Sequence, residues 1–219
     1  MKLLETKVFA GKLEVVTGLH IGGSTEAIEI GGIDNPIIKH PVTHEPYIPG
    51  SSLKGKMRSQ MERMEGKVND KGEPCGCGEN ACMVCRVFGP HFNPRHKLGP
   101  TRIIVRDAMM SEESRSEMRE AMQAGKSYIE IKTENIIDRN VGTAKHPRQQ
   151  ERVPAGTIFD LEIVVQVLDL DREHNKDVVG YVQRALKSVE DSYIGGSGSR
   201  GYGQVRFTGL TLDGEPVSL

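Results

Sequence analysis

The sequence predicts an α+β domain with a ferredoxin-like core of order β-α-β-β-α-β, plus a cysteine-rich insertion and a projecting hairpin. Three observations lead there. Apolar alternation marks four strand-like runs, and helix-periodic runs follow the first and third of them. The stretches left over are too long and too polar to be simple connections.

Thr6 to Thr17 is the first strand, with Val8, Leu13 and Val15 among β-favouring neighbours. Ser51 or Ser52 is expected to cap a helix whose Leu53, Met57, Met61 and Met64 share one face. Arg102 to Met109 reads as the second strand. Thr157 to Leu170 reads as the third, carrying Ile158, Leu161, Ile163, Val165 and Val167. A helix from about Asn175 to Asp191 follows, its apolar face made by Val178, Val179, Val182, Leu186 and Val189, and Tyr202 to Leu212 is the last strand. Three segments exceed this core: the Gly- and Pro-rich loop Glu26 to Gly50, the stretch Val68 to Pro100 holding every cysteine, and Ser111 to Pro154. Within the last, Ser111 to Glu120 reads as a solvated helix. Tyr128 to Ile137 reads as a strand, with Arg139 to Arg152 as the return arm of a projecting hairpin. The chain, 1–219, is expected to be one domain with insertions at 68–100 and 111–154.

Net charge is −1, so the global field does not attract nucleic acid and any such binding must be local. Basic residues do collect: Lys54, Lys56 and Arg58; Arg95, Lys97, Arg102 and Arg106; Arg139, Lys145, Arg148 and Arg152. No apolar run is long enough for a membrane span, and Met1-Lys2-Leu3-Leu4-Glu5 lacks the apolar core of a signal peptide. A cytoplasmic location is expected.

The stretch Gly195-Gly196-Ser197-Gly198-Ser199-Arg200-Gly201-Tyr202-Gly203 cannot build a core. It exposes backbone N–H groups, hydroxyls and one guanidinium between two regular elements, as a phosphate cradle does. Pro49-Gly50-Ser51-Ser52-Leu53-Lys54-Gly55-Lys56-Met57-Arg58 approaches the phosphate-binding loop of nucleotide hydrolases, but Met57 stands where a magnesium-binding hydroxyl is needed. A helix N-terminus with two hydroxyls, and Lys54 and Arg58 one turn apart, remains a seat for backbone phosphates. Cys75, Cys77, Cys82 and Cys85 lie within eleven residues and can close a tetrahedral zinc shell. Filled by protein on all sides, such a zinc is structural, although four cysteines also suit an iron–sulfur cluster and His91 or His96 is near enough to replace one. Asp34, in Gly31-Gly32-Ile33-Asp34-Asn35-Pro36, reads on its own as an Asx-turn aspartate displayed on a turn. His20, between Leu19 and Ile21 where the first strand ends, suits a surface histidine, a base or a stacking platform equally.

Thr17-Gly18-Leu19-His20-Ile21-Gly22-Gly23, the block Ile48 to Arg58 and the loop Gly195 to Gly203 occur in this order in the RAMP superfamily of CRISPR proteins. With Gly31 to Pro36, Thr133-Glu134-Asn135-Ile136-Ile137-Asp138-Arg139 and Pro147-Arg148-Gln149, the chain resembles the repeated backbone subunit of the type III-A (Csm) interference complex. The resemblance spans nearly the whole chain. It implies a modified RNA-recognition fold whose copies stack head-to-tail along a guide CRISPR RNA beside other Csm subunits. It also implies a thumb that breaks the guide–target duplex at regular intervals, and metal-dependent cleavage of the paired target RNA, with an ion such as Mg2+. By the same resemblance Asp34 is catalytic. Lys54, Arg58 and the loop with Arg200 contact the guide backbone, His20 handles RNA, and Arg139 and Arg148 lie near RNA on the thumb. The cysteine loop is a departure from many members, so zinc there rests on the spacing alone.

One aspartate without a second carboxylate cannot assemble a two-metal site. RNA carries its own nucleophile in the 2′-OH, so splaying the backbone into line and assisting proton transfer suffices. Asp34 then acts as a base or positions a metal ion or water. A binding-only scaffold and, more distantly, a free-standing nucleotide hydrolase are the competing readings, and Glu134 or Asp107 is the next candidate if Asp34 is not the catalytic residue.

Overall fold

The computed structural model describes residues 1–23 and 33–219. The pair Gly31-Gly32 and the first part of the loop expected at Glu26 to Gly50 lie outside the described residues. The chain is a mixed α/β structure built on an antiparallel sheet of five strands. These are β1 (Leu3–Val15), β3 (Ile103–Val105), β7 (Ile158–Leu168), β8 (Val205–Leu212) and β9 (Glu215–Pro216), in the order β3-β7-β1-β8-β9. In the centre, Phe9 lies opposite Ile163, and Leu13 lies opposite Phe159 on one side and Phe207 on the other. Alternation therefore puts Phe9, Leu13, Phe159, Ile163, Val165, Val205 and Phe207 on one buried face. Helices α1 (Gly50–Met64) and α5 (Val178–Glu190) pack against each other, and α5 lies on β7 and β8. Leu53, Met57 and Met61 come from α1, and Val182, Ala185, Leu186 and Val189 from α5, all nearly inaccessible.

Several boundaries differ from the sequence reading, each for a local reason. Helix α1 starts at Gly50 with Pro49 before it, and neither Ser51 nor Ser52 caps it by a side chain. Met64 closes the expected apolar face but is 66% exposed, lining an open groove with Gln60, Arg184 and Lys187. The expected strand Arg102 to Met109 is two strands. Ile103–Val105 joins the main sheet, whereas β4 (Ala108–Met109) pairs with β2 (Tyr47–Ile48) in a separate ladder. The break falls at Arg106-Asp107, where the Asp107 carboxylate accepts the Gly50 N–H at 2.7 Å. The third strand stops at Leu168, and Asp169–Glu173 forms the short helix α4, because Asp171 turns inward to meet two buried arginines.

Between β4 and β7 lie α3 (Glu112–Gln123), capped by Ser111, and the ladder of β5 (Glu130–Ile137) with β6 (Ala144–Arg152). The insertion after α1 contains α2 (Met83–Phe88), which Cys82 caps through its thiol.

Candidate nucleic-acid interface and metal centre

Strand β6 is where the Asp34 segment and His20 meet. Asn35 bridges Gln150 in parallel register, and the Glu151 N–H donates to the Asn35 carbonyl at 3.0 Å. The Glu151 carboxylate secures the same segment again, accepting from Ile37 N–H at 3.0 Å and from Lys39 Nζ at 2.9 Å. Asp34 stands one residue before this bridge with its side chain in solvent, so a held backbone presents an exposed carboxylate. On the same edge, the Glu151 carbonyl lies 2.8 Å from His20 Nδ1, and Val153, just past the end of β6, pairs with Leu19. A carbonyl only accepts, so His20 carries a proton on Nδ1, and in the neutral ring Nε2 is left as an acceptor.

The glycine-rich loop joins through His20. The Gly196 N–H donates to the His20 carbonyl at 2.9 Å, and Gly203 N–H reaches Gly18 O at 3.1 Å. Gly195 has φ +77°, and a Cβ there would overlap the His20 carbonyl oxygen; at Gly203, φ +70°, it would overlap the Ile194 carbonyl. These two glycines are dictated by close backbone approach as well as by φ. Between them Ser197 is left-handed, and Gly198–Arg200 makes one tight turn.

Arg200 does not stand alone in this loop. Its Nη1 donates to Glu134 Oε2 at 2.7 Å, and Tyr202 OH donates to Glu134 Oε1 at 2.7 Å. The Tyr202 hydroxyl bond holds the Glu134 carboxyl below its usual range, with Arg200 adding to the effect. Burial, together with Glu134, pushes the Tyr202 phenol up to about 12. The loop is thus tied to β5. Arg139, Arg148, Lys132 and Arg200 line an open groove of about 440 Å³ around this contact. On the same hairpin Lys145 is paired with Asp138 and Arg152 with Glu130, whereas Arg139 and Arg148 have no carboxylate partner among the described residues.

Helix α1 borders the loop from the opposite side. Lys56 Nζ lies 3.4 Å from the Tyr193 ring centroid, and the same ring packs on Gly198, where a Cβ would collide with it. Burial first, and Arg58 second, lower the Lys54 ammonium below the usual lysine value. Ser51 is exposed and Ser52 half-buried. Arg58 faces inward: Nε donates to Glu62 at 2.8 Å and Nη2 to the Cys75 carbonyl at 2.6 Å, leaving its side chain 15% exposed. The two basic residues expected to act together on phosphates therefore have different neighbours.

The four cysteine thiols lie within 4.8 Å of one another. Cys77 and Cys85 sulfurs are 3.8 Å apart, and Cys85 and Cys75 3.6 Å apart. A tetrahedral metal site with metal–sulfur bonds of about 2.3 Å has edges of about 3.8 Å, so the thiols can hold a metal ion. Neither His91 nor His96 joins that set. The loop is braced from both sides. Glu62 accepts the Cys75 N–H at 2.8 Å. Next to Cys85, fully buried Arg86 donates to Asp171 at 2.8 Å, which also takes Arg102 at 2.7 Å and 2.9 Å.

Glu151, Glu62 and Asp171 had no signal of their own in the sequence. Each is a lone acid whose partners come from distant segments, and only the fold brings them together.

Residues 12–206 match the model of the RAMP superfamily. The CRISPR system Cms endoribonuclease Csm3 of Methanothermobacter thermautotrophicus is 43% identical, over 99% of this chain and 89% of the relative. Among solved structures, the Csm3–Csm4 subcomplex of the type III-A CRISPR-Cas interference complex aligns with TM-score 0.60 and 30% identity, covering 97% of this chain and 80% of that one. The type III-B Cmr-beta complex bound to cognate target RNA gives TM-score 0.61 at 16% identity, over 95% of this chain and 61% of that one, a likeness of fold.

Proposed function

This chain belongs to the RAMP superfamily, and on that footing we propose that it is the guide-RNA-binding backbone subunit of a type III-A CRISPR effector complex, an endoribonuclease acting on guide-paired target RNA. The observation that best supports this reading is the meeting on β6 of the Asp34 segment and His20, with the glycine-rich loop joined to them through the His20 carbonyl. An exposed carboxylate on a held backbone then stands beside the strand that carries Arg148, the arginine this reading turns toward RNA.

In this reading the five-stranded order reflects a ferredoxin-like core, and the β5–β6 hairpin is the thumb. Guide backbone phosphates lie against Lys54, Ser51, Ser52 and the N–H groups of Gly195 to Gly201, without reference to base identity. The hairpin, through Arg139 and Arg148, interrupts duplex stacking at regular intervals and turns one target phosphodiester into line. Asp34 serves the 2′-OH of that nucleotide by taking its proton or by fixing a divalent ion or water, as the 2′-oxygen bonds to phosphorus and the P–O5′ bond breaks, the 5′-oxygen leaving with a proton from water. A bound Mg2+ would neutralise the developing phosphate charge. Copies stack head-to-tail, a heterologous contact that builds a filament, together with other Csm subunits in the cytoplasm. The four cysteines hold a structural zinc, a fit supported by sulfur spacings near a tetrahedral edge.

The test uses the assembled complex and complementary RNA. Asp34→Ala is expected to retain guide and target but to abolish cutting, and a single 2′-deoxynucleotide at one cleavage position is expected to spare that position alone. Cutting by Asp34→Ala would place the active site elsewhere. No cutting by the unaltered complex with any divalent ion would favour a binding-only scaffold.

A further inference from the structure

The metal loop carries one feature that the zinc does not need. Phe92 is 92% exposed, more than any other large apolar residue of the described chain. It also holds a left-handed backbone, φ +44°, a conformation that bulky residues rarely adopt. Its ring lies against His91, centroids 4.1 Å apart at 58°, so two aromatic rings stand together at the surface. His91 is in turn fixed to the metal site, its N–H donating to the Cys75 carbonyl at 3.1 Å.

Cations flank this pair. Lys67 lies on the Phe92 side of Cys77, with Glu73 and Glu79 as its acidic neighbours. On the far side of Cys77 an open groove of about 630 Å³ is lined by Arg95, Lys97, His96 and His174, with Asn80 and Asn93 as neutral polar groups. Neither Arg95 nor Lys97 has a carboxylate within ion-pair distance among the described residues, whereas Arg106, Arg119, Arg172, Arg200 and Arg206 each have one. An exposed aromatic platform beside unpaired cations is the arrangement by which proteins hold single-stranded nucleic acid, since every base offers a π-face and every linkage a phosphate.

We infer that the metal loop is a second RNA-contact site, with Phe92 stacking an unpaired base and Arg95 and Lys97 taking the adjoining phosphates. The inference rests on the reading that the chain works on RNA, and it adds a surface that lies away from β6 and the glycine-rich loop. The metal then has a task beyond holding the insertion together, because it sets the position of the His91–Phe92 pair.

The test is binding of a labelled uridine oligomer of about a dozen nucleotides by the full, zinc-loaded chain. Phe92→Ala is expected to weaken binding about tenfold and Phe92→Trp to keep it within about twofold, because stacking tolerates any aromatic. Arg95→Ala with Lys97→Ala is expected to flatten the log–log salt dependence by about 1.4, two single-strand phosphates at about 0.7 each. Metal content and melting temperature should not change in any of the three, which separates a lost contact from a lost fold. Unaltered binding by Phe92→Ala overturns the inference. So does a defect seen only in the assembled complex, which would assign the platform to a protein partner. An unaltered chain that binds no RNA at all defeats the RNA reading itself, a result distinct from both.

Discussion

Arg200 and Glu134 form an ion pair 2.7 Å long that joins the glycine-rich loop to the β5–β6 hairpin. The loop was expected to offer Arg200 to phosphate. The structure occupies that guanidinium with a carboxylate from 66 residues away, so RNA phosphate must compete with Glu134 for it.

A consequence for binding follows. Arg200→Ala is expected to cost less RNA affinity than Lys54→Ala, while Glu134→Ala frees a cation and should steepen the salt dependence by about 0.7 for one added phosphate contact. Both variants should cut more readily at Val141-Gly142 in limited proteolysis, since the hairpin loses its tie to the loop. Equal affinity losses for Arg200→Ala and Lys54→Ala would show that Arg200 abandons Glu134 in the complex.

The cap of α1 makes a stability prediction. Asp107 accepts the Gly50 N–H from outside the helix, a carboxylate at the positive end of the helix dipole. Asp107→Ala is expected to lower stability by about 1 kcal/mol, whereas Ser51→Ala and Ser52→Ala should each stay within about 0.5 kcal/mol. Denaturation midpoints decide between them.

That contrast shows where the sequence was readable. The periodic runs in β1, β7 and α5 were visible because their apolar spacing is set by burial on one face, and a face is a local pattern. The start of α1 was not, because Asp107 lies 57 residues from the amide it caps and Ser51 carries the signature of a cap without the contact. The cysteine cluster was visible for the opposite reason: its ligands are close in sequence. The support beneath it, Glu62 from α1 and Asp171 from α4, was hidden because burying a charge is decided by partners that only folding supplies.

Asp171 supplies a pH prediction. Burial pushes its carboxyl up, but hydrogen bonds from Arg102, the Leu168 N–H and Arg86 prevail and hold it below its usual value. A carboxyl whose folded value is lowered contributes stability that is fully present above the unfolded value of about 4, and loses it as pH falls through the folded value. Asp171→Asn should therefore destabilise at neutral pH, by about 3–5 kcal/mol for one partner lost from a buried ion cluster. The gap to the unaltered chain should narrow as the pH is taken below about 4. A gap independent of pH would mean that the loss is one of packing.

Metal removal is expected to loosen the insertion first and the core later. One equivalent of zinc, about the ratio four thiolates require, should be found on the purified chain. Chelation should expose amides of residues 75–96 to hydrogen exchange before those of β1 and β7. Iron with a visible absorption band would reassign the metal.

The last prediction separates two residues that the sequence treated as a pair. Lys54 and Arg58 lie one turn apart on α1, yet Arg58 spends its donors on Glu62 and on the Cys75 carbonyl, and Lys54 has no carboxylate partner among the described residues. Lys54→Ala should then weaken binding to all RNA sequences alike and flatten the salt dependence by about 0.7, with zinc content unchanged. Arg58→Ala should act on the metal loop. It leaves Glu62 without its cation, 9% exposed at the side chain, and leaves the Cys75 carbonyl without its charged donor. The expected result is faster zinc loss to a chelator and a lower melting temperature, with a smaller change in salt dependence than Lys54→Ala produces. Arg58→Lys should not restore it, since a single ammonium cannot reach both acceptors in the guanidinium's fork. If Arg58→Ala instead matches Lys54→Ala in salt dependence and keeps its zinc, the guanidinium turns outward to RNA in the complex and the brace seen here is the resting arrangement.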